Sequence, residues 1–119
     1  MAERRRYLRL KDGVKVIYKK LGIEGEYELP SLNIGAGGLC LPLKEKISPG
    51  TLLELGLLLP EDKEPFFCLA KVIWQAEESN KGQDGQQYYE TGVEFIRMDL
   101  AQRMRIIRYV YPHLRDKKI

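Results

Sequence analysis

Arg4, Arg5, Arg6 and Arg9 stand within six positions of one another near the start of the chain. A guanidinium keeps its charge at any ordinary pH and presents a planar fork of donors, so such a cluster seeks an anionic partner. A second stretch, Asn33-Ile34-Gly35-Ala36-Gly37-Gly38, places three glycines in six positions just ahead of an apolar run. Glycine lacks a Cβ, so the stretch is either a sharp turn between strands or backbone laid bare for a ligand. The single tryptophan, Trp74, closes an apolar alternation and is either rim packing or a stacking platform. Each feature alone has a plain structural explanation: a solvated arm, a turn, a packed ring.

Other chemistries lack their residues. Cys40 and Cys68 each lie inside an apolar segment, as buried free thiols do, and a disulfide would want a secreted setting. The one histidine, His113, follows Pro112 far from both cysteines, so neither zinc-ligand spacing nor a Cys–His pair exists. No acid/base pair has a recognisable setting. The expectation is therefore a protein with no catalytic activity, no metal and no cofactor. Charge is unevenly placed. The net +3 divides into +6 over residues 1–20 (eight Lys/Arg, two Asp/Glu), −8 over 21–99 (six and fourteen) and +5 over 100–119 (six and one). Basic ends around an acidic middle again suggest an anionic partner.

These residues must be held by a fold. A chain of 119 residues, 44% hydrophobic and 31% charged, fits one domain with a real core. No apolar run approaches the ~20 residues of a membrane-spanning helix, and the charged start leads into no signal-type stretch. A cytoplasmic protein without a membrane span is expected. Alternation of apolar and polar residues predicts strands around Val14–Tyr18, Glu26–Leu29, Leu39–Leu43, Leu53–Leu59, Phe66–Trp74 and Tyr89–Phe95. Turns fall at 21–25 and at Ser48-Pro49-Gly50, and residues 79–87 read as an exposed hairpin loop. From Leu100 the period changes: Leu100, Met104, Ile107, Tyr111 and Leu114 form a helical stripe, with Asp99 at the N-cap and Pro112 limiting the helix. About six short strands and one C-terminal helix (about 99–114) predict a mainly β fold, a six-stranded antiparallel barrel. The helix would lie across the barrel or pair with a copy, leaving monomer or homodimer open.

Taken together, the arginine cluster and the glycine-rich stretch resemble the PilZ domain, the bacterial receptor family for cyclic di-GMP. That family's pattern is Arg-x-x-x-Arg in an N-terminal arm, then Asp/Asn-x-Ser-x-x-Gly on an early strand. Arg5-Arg6-Tyr7-Leu8-Arg9 matches the first motif, and Asn33 to Gly38 matches the second at its Asn and its last Gly. Val72-Ile73-Trp74 and Gly92-x-x-Phe95 fall where the family has such elements, and the resemblance runs from about Glu3 to the final helix. It implies a flexible arginine arm over residues 1–12 and a PilZ-like barrel domain over 10–119. It also implies a ligand. An arginine fork bonds guanine O6 and N7, and a guanidinium stacks on a purine. By resemblance Arg5 and Arg9 take guanine and phosphate, Asn33 and the backbone of 35–38 (Gly35 and Gly38 included) meet the other guanine and its phosphate, Arg4 and Arg6 add charge, and Trp74 offers a platform. Position 35 departs from the pattern: glycine stands where the family has serine, a lost hydrogen bond of about 0.5–1.5 kcal/mol.

The resemblance implies a bacterial cyclic di-GMP effector in which ligand orders the arm and alters a surface for an unidentified downstream protein, in motility, pilus, exopolysaccharide or biofilm control. The alternative is a PilZ-like interaction module that has lost nucleotide binding, which Gly35 favours. A barrel for single-stranded nucleic acid would want exposed aromatics among basic residues. Here most aromatics share strand faces with aliphatic residues and the middle is acidic, so no DNA or RNA partner is expected.

Overall fold

The computed structural model describes residues 9–10 and 13–117. Arg4, Arg5 and Arg6 lie outside the described residues, as does the arm around them. Nine strands and one helix occur among the described residues: β1 Arg9–Leu10, β2 Lys15–Lys20, β3 Tyr27–Pro30, β4 Asn33–Gly35, β5 Gly38–Leu43, β6 Leu52–Leu58, β7 Phe66–Gln75, β8 Asn80–Lys81, β9 Gln87–Arg97 and α1 Leu100–Lys117. Every pairing is antiparallel, in the order β1-β4-β5-β9-β7-β6-β2-β3, with β8 beside β9. The sheet curls into a half-barrel whose end strand β3 comes back within 8 Å of β5 between Cα atoms.

The six strands predicted from alternation are all present. Three were not predicted. β1 and β8 are two residues long, too short for a period to show, and β4 lies inside the glycine-rich stretch. That stretch is thus a strand, a two-residue turn at Ala36–Gly37 and the start of β5. The predicted loop over 79–87 contains β8, which folds back on Gln87 and Tyr88.

The inward face of the sheet carries one continuous core. Val16, Leu39, Leu41, Leu43, Leu53, Leu55, Leu57, Val72 and Val93 are at most 1% exposed. Each large aliphatic side chain buried this way contributes about 1.5–3 kcal/mol over an exposed one. Turns supply the reversals: at Gly50, after Ser48-Pro49, φ is +94°, a conformation that glycine adopts without steric cost.

Helix α1 begins as predicted and is turned differently. The Asp99 side chain accepts from the Gln102 N–H (2.8 Å), and the Gln102 side-chain oxygen accepts from the Asp99 N–H (3.2 Å). This reciprocal pair is a capping box. The buried stripe, however, is Ile106 and Val110, both fully buried, while Leu100 is 73% exposed. Arg103, Ile106 and Val110 share the 3–4 spacing as well as the predicted set does, and packing against β1 and β4 selects them. Nor does Pro112 limit the helix, which continues to Lys117. Proline removes one hydrogen bond, to the Arg108 carbonyl, and both residues are exposed, so water can replace it.

Candidate functional site

Register, more than sequence distance, brings the predicted residues together. Paired positions on neighbouring strands carry their side chains on the same face of a sheet. In β5 the core residues Leu39, Leu41 and Leu43 point inward, so Gly38, Cys40 and Pro42 occupy the outward positions. Asn33 pairs with Cys40, Cys40 with Gly92, and Gly92 with Trp74. Asn33 and Trp74 therefore close the two ends of one outward row, three strand spacings apart, about 14 Å. Arg9 pairs with Gly35, two positions along from Asn33, and Gly38 pairs with Glu94 in β9. Asn33, Gly35, Gly38 and Trp74 thus fall on adjacent rows of one outward face, across β4, β5, β9 and β7, and the backbone of Arg9 in β1 stands in register beside Gly35.

Local bonding fixes this face. The Asn33 side-chain oxygen accepts from the Cys40 N–H (3.2 Å), tying β4 to β5 beneath the turn. The Gly37 carbonyl accepts from the Phe95 N–H (3.0 Å), and the Ala36 carbonyl accepts from Nη1 of Arg103 (2.6 Å). The hairpin tip is clamped from two sides, by strand β9 and by helix α1. At these two carbonyls the backbone is engaged within the protein.

The glycines of this stretch answer the question of turn against bared backbone in a third way. Among the described residues positive φ occurs at Gly22, Gly25, Gly50 and Gly85, and not within 33–38. Gly35 and Gly38 are buried. A Cβ on Gly38 would sit 2.1 Å from the Val93 carbonyl oxygen, well inside contact distance. Gly38 is required by the close approach of β9. Gly92 serves a different neighbour: a Cβ there would lie 2.1 Å from Nε1 of Trp74, so the indole lies directly over the glycine and remains 38% exposed.

Sequence reasoning did not single out Arg103, and it read Cys40 as a buried thiol without its place in the row. Arg103 acts from 67 residues away on the Ala36 carbonyl, and no motif carries that partner. It also stands near Cys68, whose thiol is pushed up to about 12 by burial, with the Arg103 charge pulling in the other direction. Cys40 and Cys68 are both free and buried. Among the described residues no group of three or more His, Cys, Asp or Glu side chains could hold a metal ion, and no helix is long and apolar enough to cross a membrane.

The family model for the PilZ domain matches residues 3–111 of this chain. No curated protein matches the sequence significantly. Among solved structures, the chain is similar to the PilZ domain with c-di-GMP of YcgR from Escherichia coli, at 14% identity and a TM-score of 0.72, covering 98% of this chain and 95% of that one. It is also similar to the K. pneumonia MrkH–c-di-GMP complex (20% identity, TM-score 0.76, 98% and 55%). A third is the Bacillus subtilis inhibitor of motility MotI/DgrA (19%, 0.72, 99% and 55%). The chain spans about half the length of the MrkH and MotI chains.

Proposed function

We propose that this chain, which belongs to the PilZ domain family, is a cyclic di-GMP receptor without catalytic activity, acting in the cytoplasm of a bacterium. One observation carries the reading. The family match spans both motifs, and the sheet sets the last arginine of the first, Arg9, in register beside Gly35 of the second. A guanine offering O6 and N7 to one arginine fork, with its phosphodiester beside another, would lie against the outward face between Asn33 and Trp74. Arg5 and Arg9 supply the charge-assisted contacts, Arg4 and Arg6 add positive potential, and the ordering of the arginine arm changes the surface offered to a downstream protein.

Isothermal titration with cyclic di-GMP tests the reading. The expected result is saturable binding that is lost in Arg5→Ala/Arg9→Ala. Introducing the family's serine by Gly35→Ser should tighten binding by no more than about tenfold, since one neutral hydrogen bond is regained. Absence of heat at high micromolar ligand, or binding unchanged in the double variant, would overturn it. The second reading, an interaction module that does not bind nucleotide, rests on Gly35 and predicts the first of those two outcomes.

A further inference from the structure

The half-barrel ends at β3, and among the described residues no strand pairs with its far edge. Just past the Pro30 end of β3 the Leu32 N–H donates to the Cys40 carbonyl of β5, and β3 lies within 8 Å of β5 between Cα atoms. That is narrower than the about 9.6 Å that an intervening strand needs, so side chains seal the seam there. A groove of about 850 Å³ runs along this edge, floored by Tyr18, Leu32 and Pro42 and bounded opposite by Lys44 and the hairpin that carries Asp84 and Tyr88. The ring of Tyr27, on β3 itself, stacks on Tyr18 with centroids 5.1 Å apart.

The edge offers hydrogen bonds in a definite pattern. The Ser31 N–H donates to the Val14 carbonyl and the Val14 N–H to the Ser31 hydroxyl, so Val14 and Ser31 face each other as a bonded pair. Bonded pairs recur at every second position of an antiparallel ladder. Val16 with Leu29 and Tyr18 with Tyr27 are therefore the bonded pairs of β2 and β3, and the N–H and C=O of Glu28 point toward the groove edge. Tyr27 stacks on Tyr18, while Glu28 and Glu26, the residue just before the strand, are exposed and line the groove. Glu28 pairs with Lys15 at 3.7 Å, and both partners are at least half exposed, a contact of little strength. Lys44, on the opposite bank, is already held by Asp84 and Gln86.

We infer that this edge takes an extended segment of a partner protein as an added strand. Its residues opposite Glu26 and Glu28 would be lysine or arginine, and its residue opposite Tyr27 would be apolar. Opposite charges directly across a strand pair stabilise it and like charges destabilise it. The same rule excludes a second copy of β3, because an antiparallel self-pairing centred on Tyr27 sets Glu26 against Glu28, and one centred on Glu28 sets that residue against itself. Main-chain bonds supply the affinity and the basic–apolar–basic order the specificity. The inference does not depend on nucleotide binding.

The test uses two acetylated, amidated peptides with the full chain, one alternating lysine with valine and one alternating glutamate with valine. Titrations are followed by backbone amide NMR shifts. The lysine peptide should bind and shift the amides of residues 26–28, and the glutamate peptide should not. Glu28→Pro removes only the outward N–H and should weaken binding by about tenfold. Glu26→Lys/Glu28→Lys keeps the backbone intact and should reverse the preference between the peptides, which holds the test open if the proline variant fails to fold. The inference is overturned if neither peptide binds at millimolar concentration, if both bind alike, if the shifts fall away from β3, or if the protein sediments as a dimer that Glu28→Pro dissociates, which would assign the edge to a second copy.

Discussion

At the scale of single residues, two glycines on the same face are glycine for different reasons, and the difference is measurable. A methyl group on Gly38 meets the backbone oxygen of Val93, which cannot move without displacing β9. Gly38→Ala should cost about 1–3 kcal/mol, the range of overpacked core substitutions, read as a lower urea midpoint. A methyl group on Gly92 meets the indole of Trp74, a side chain that can swing outward. Gly92→Ala should cost less and should shift the fluorescence of the single tryptophan to longer wavelength as the ring enters water. The stretch 33–38 stood out in the sequence by composition alone. Its reason did not, because the neighbour that forbids a Cβ at Gly38 lies 55 residues on, and no local pattern encodes it. Asn33 shows the same limit: its fit to a family motif was legible, whereas its bond to the Cys40 N–H came only with the hairpin.

At the scale of elements, local chemistry was read well and orientation less well. The N-cap at Asp99 was legible because a cap is decided within four residues. Asp99→Ala should cost about 1 kcal/mol, and thermal or urea unfolding measures it. Which stripe of α1 turns inward was not legible, since two stripes satisfy the helical period and only contact with β1 and β4 separates them. A second link, between β2 and the segment after β5, was invisible in the sequence. Glu45 accepts from the Tyr18 hydroxyl (2.8 Å) and from the Lys20 ammonium (2.9 Å), partners 27 and 25 residues away. Burial raises the Glu45 carboxyl, but the bonds from Lys20 and Tyr18 outweigh it and hold the group below its ordinary 4.5. A carboxylate with a depressed folded pKa contributes stability that is present above the unfolded value and lost as pH falls through the folded one. Glu45→Gln should therefore be less stable than the parent near neutrality, with the gap between their urea midpoints closing as pH falls below the ordinary value of 4.5 and through the lower folded one. A constant gap would remove the ionised carboxylate from the account. The Tyr18 hydroxyl, raised by burial and by its bond to Glu45, stays protonated throughout that range.

At the scale of the whole molecule, the strand inventory was largely legible and the register was not. Alternation identifies a strand without naming its neighbour, so the sequence left Asn33 in a glycine-rich stretch and Trp74 at the end of a strand, without showing that they end the same row. Both thiols are buried in that assembled sheet, and burial pushes the Cys68 thiol up to about 12. A thiol reagent should accordingly leave Cys40 and Cys68 unlabelled in the native protein and modify both in denaturant, so that the labelling rate reports opening of the fold. Rapid labelling of either cysteine in the native state would contradict the burial assigned to it.

The clamp on the hairpin tip has a consequence for how the molecule is made. Ala36 and Gly37 leave the ribosome long before the groups that hold them, Phe95 in the last strand and Arg103 in the helix that follows every strand. A nascent chain stopped after residue 99 contains the whole glycine-rich hairpin yet lacks the arginine that secures it. The face between Asn33 and Trp74 is therefore completed late in synthesis.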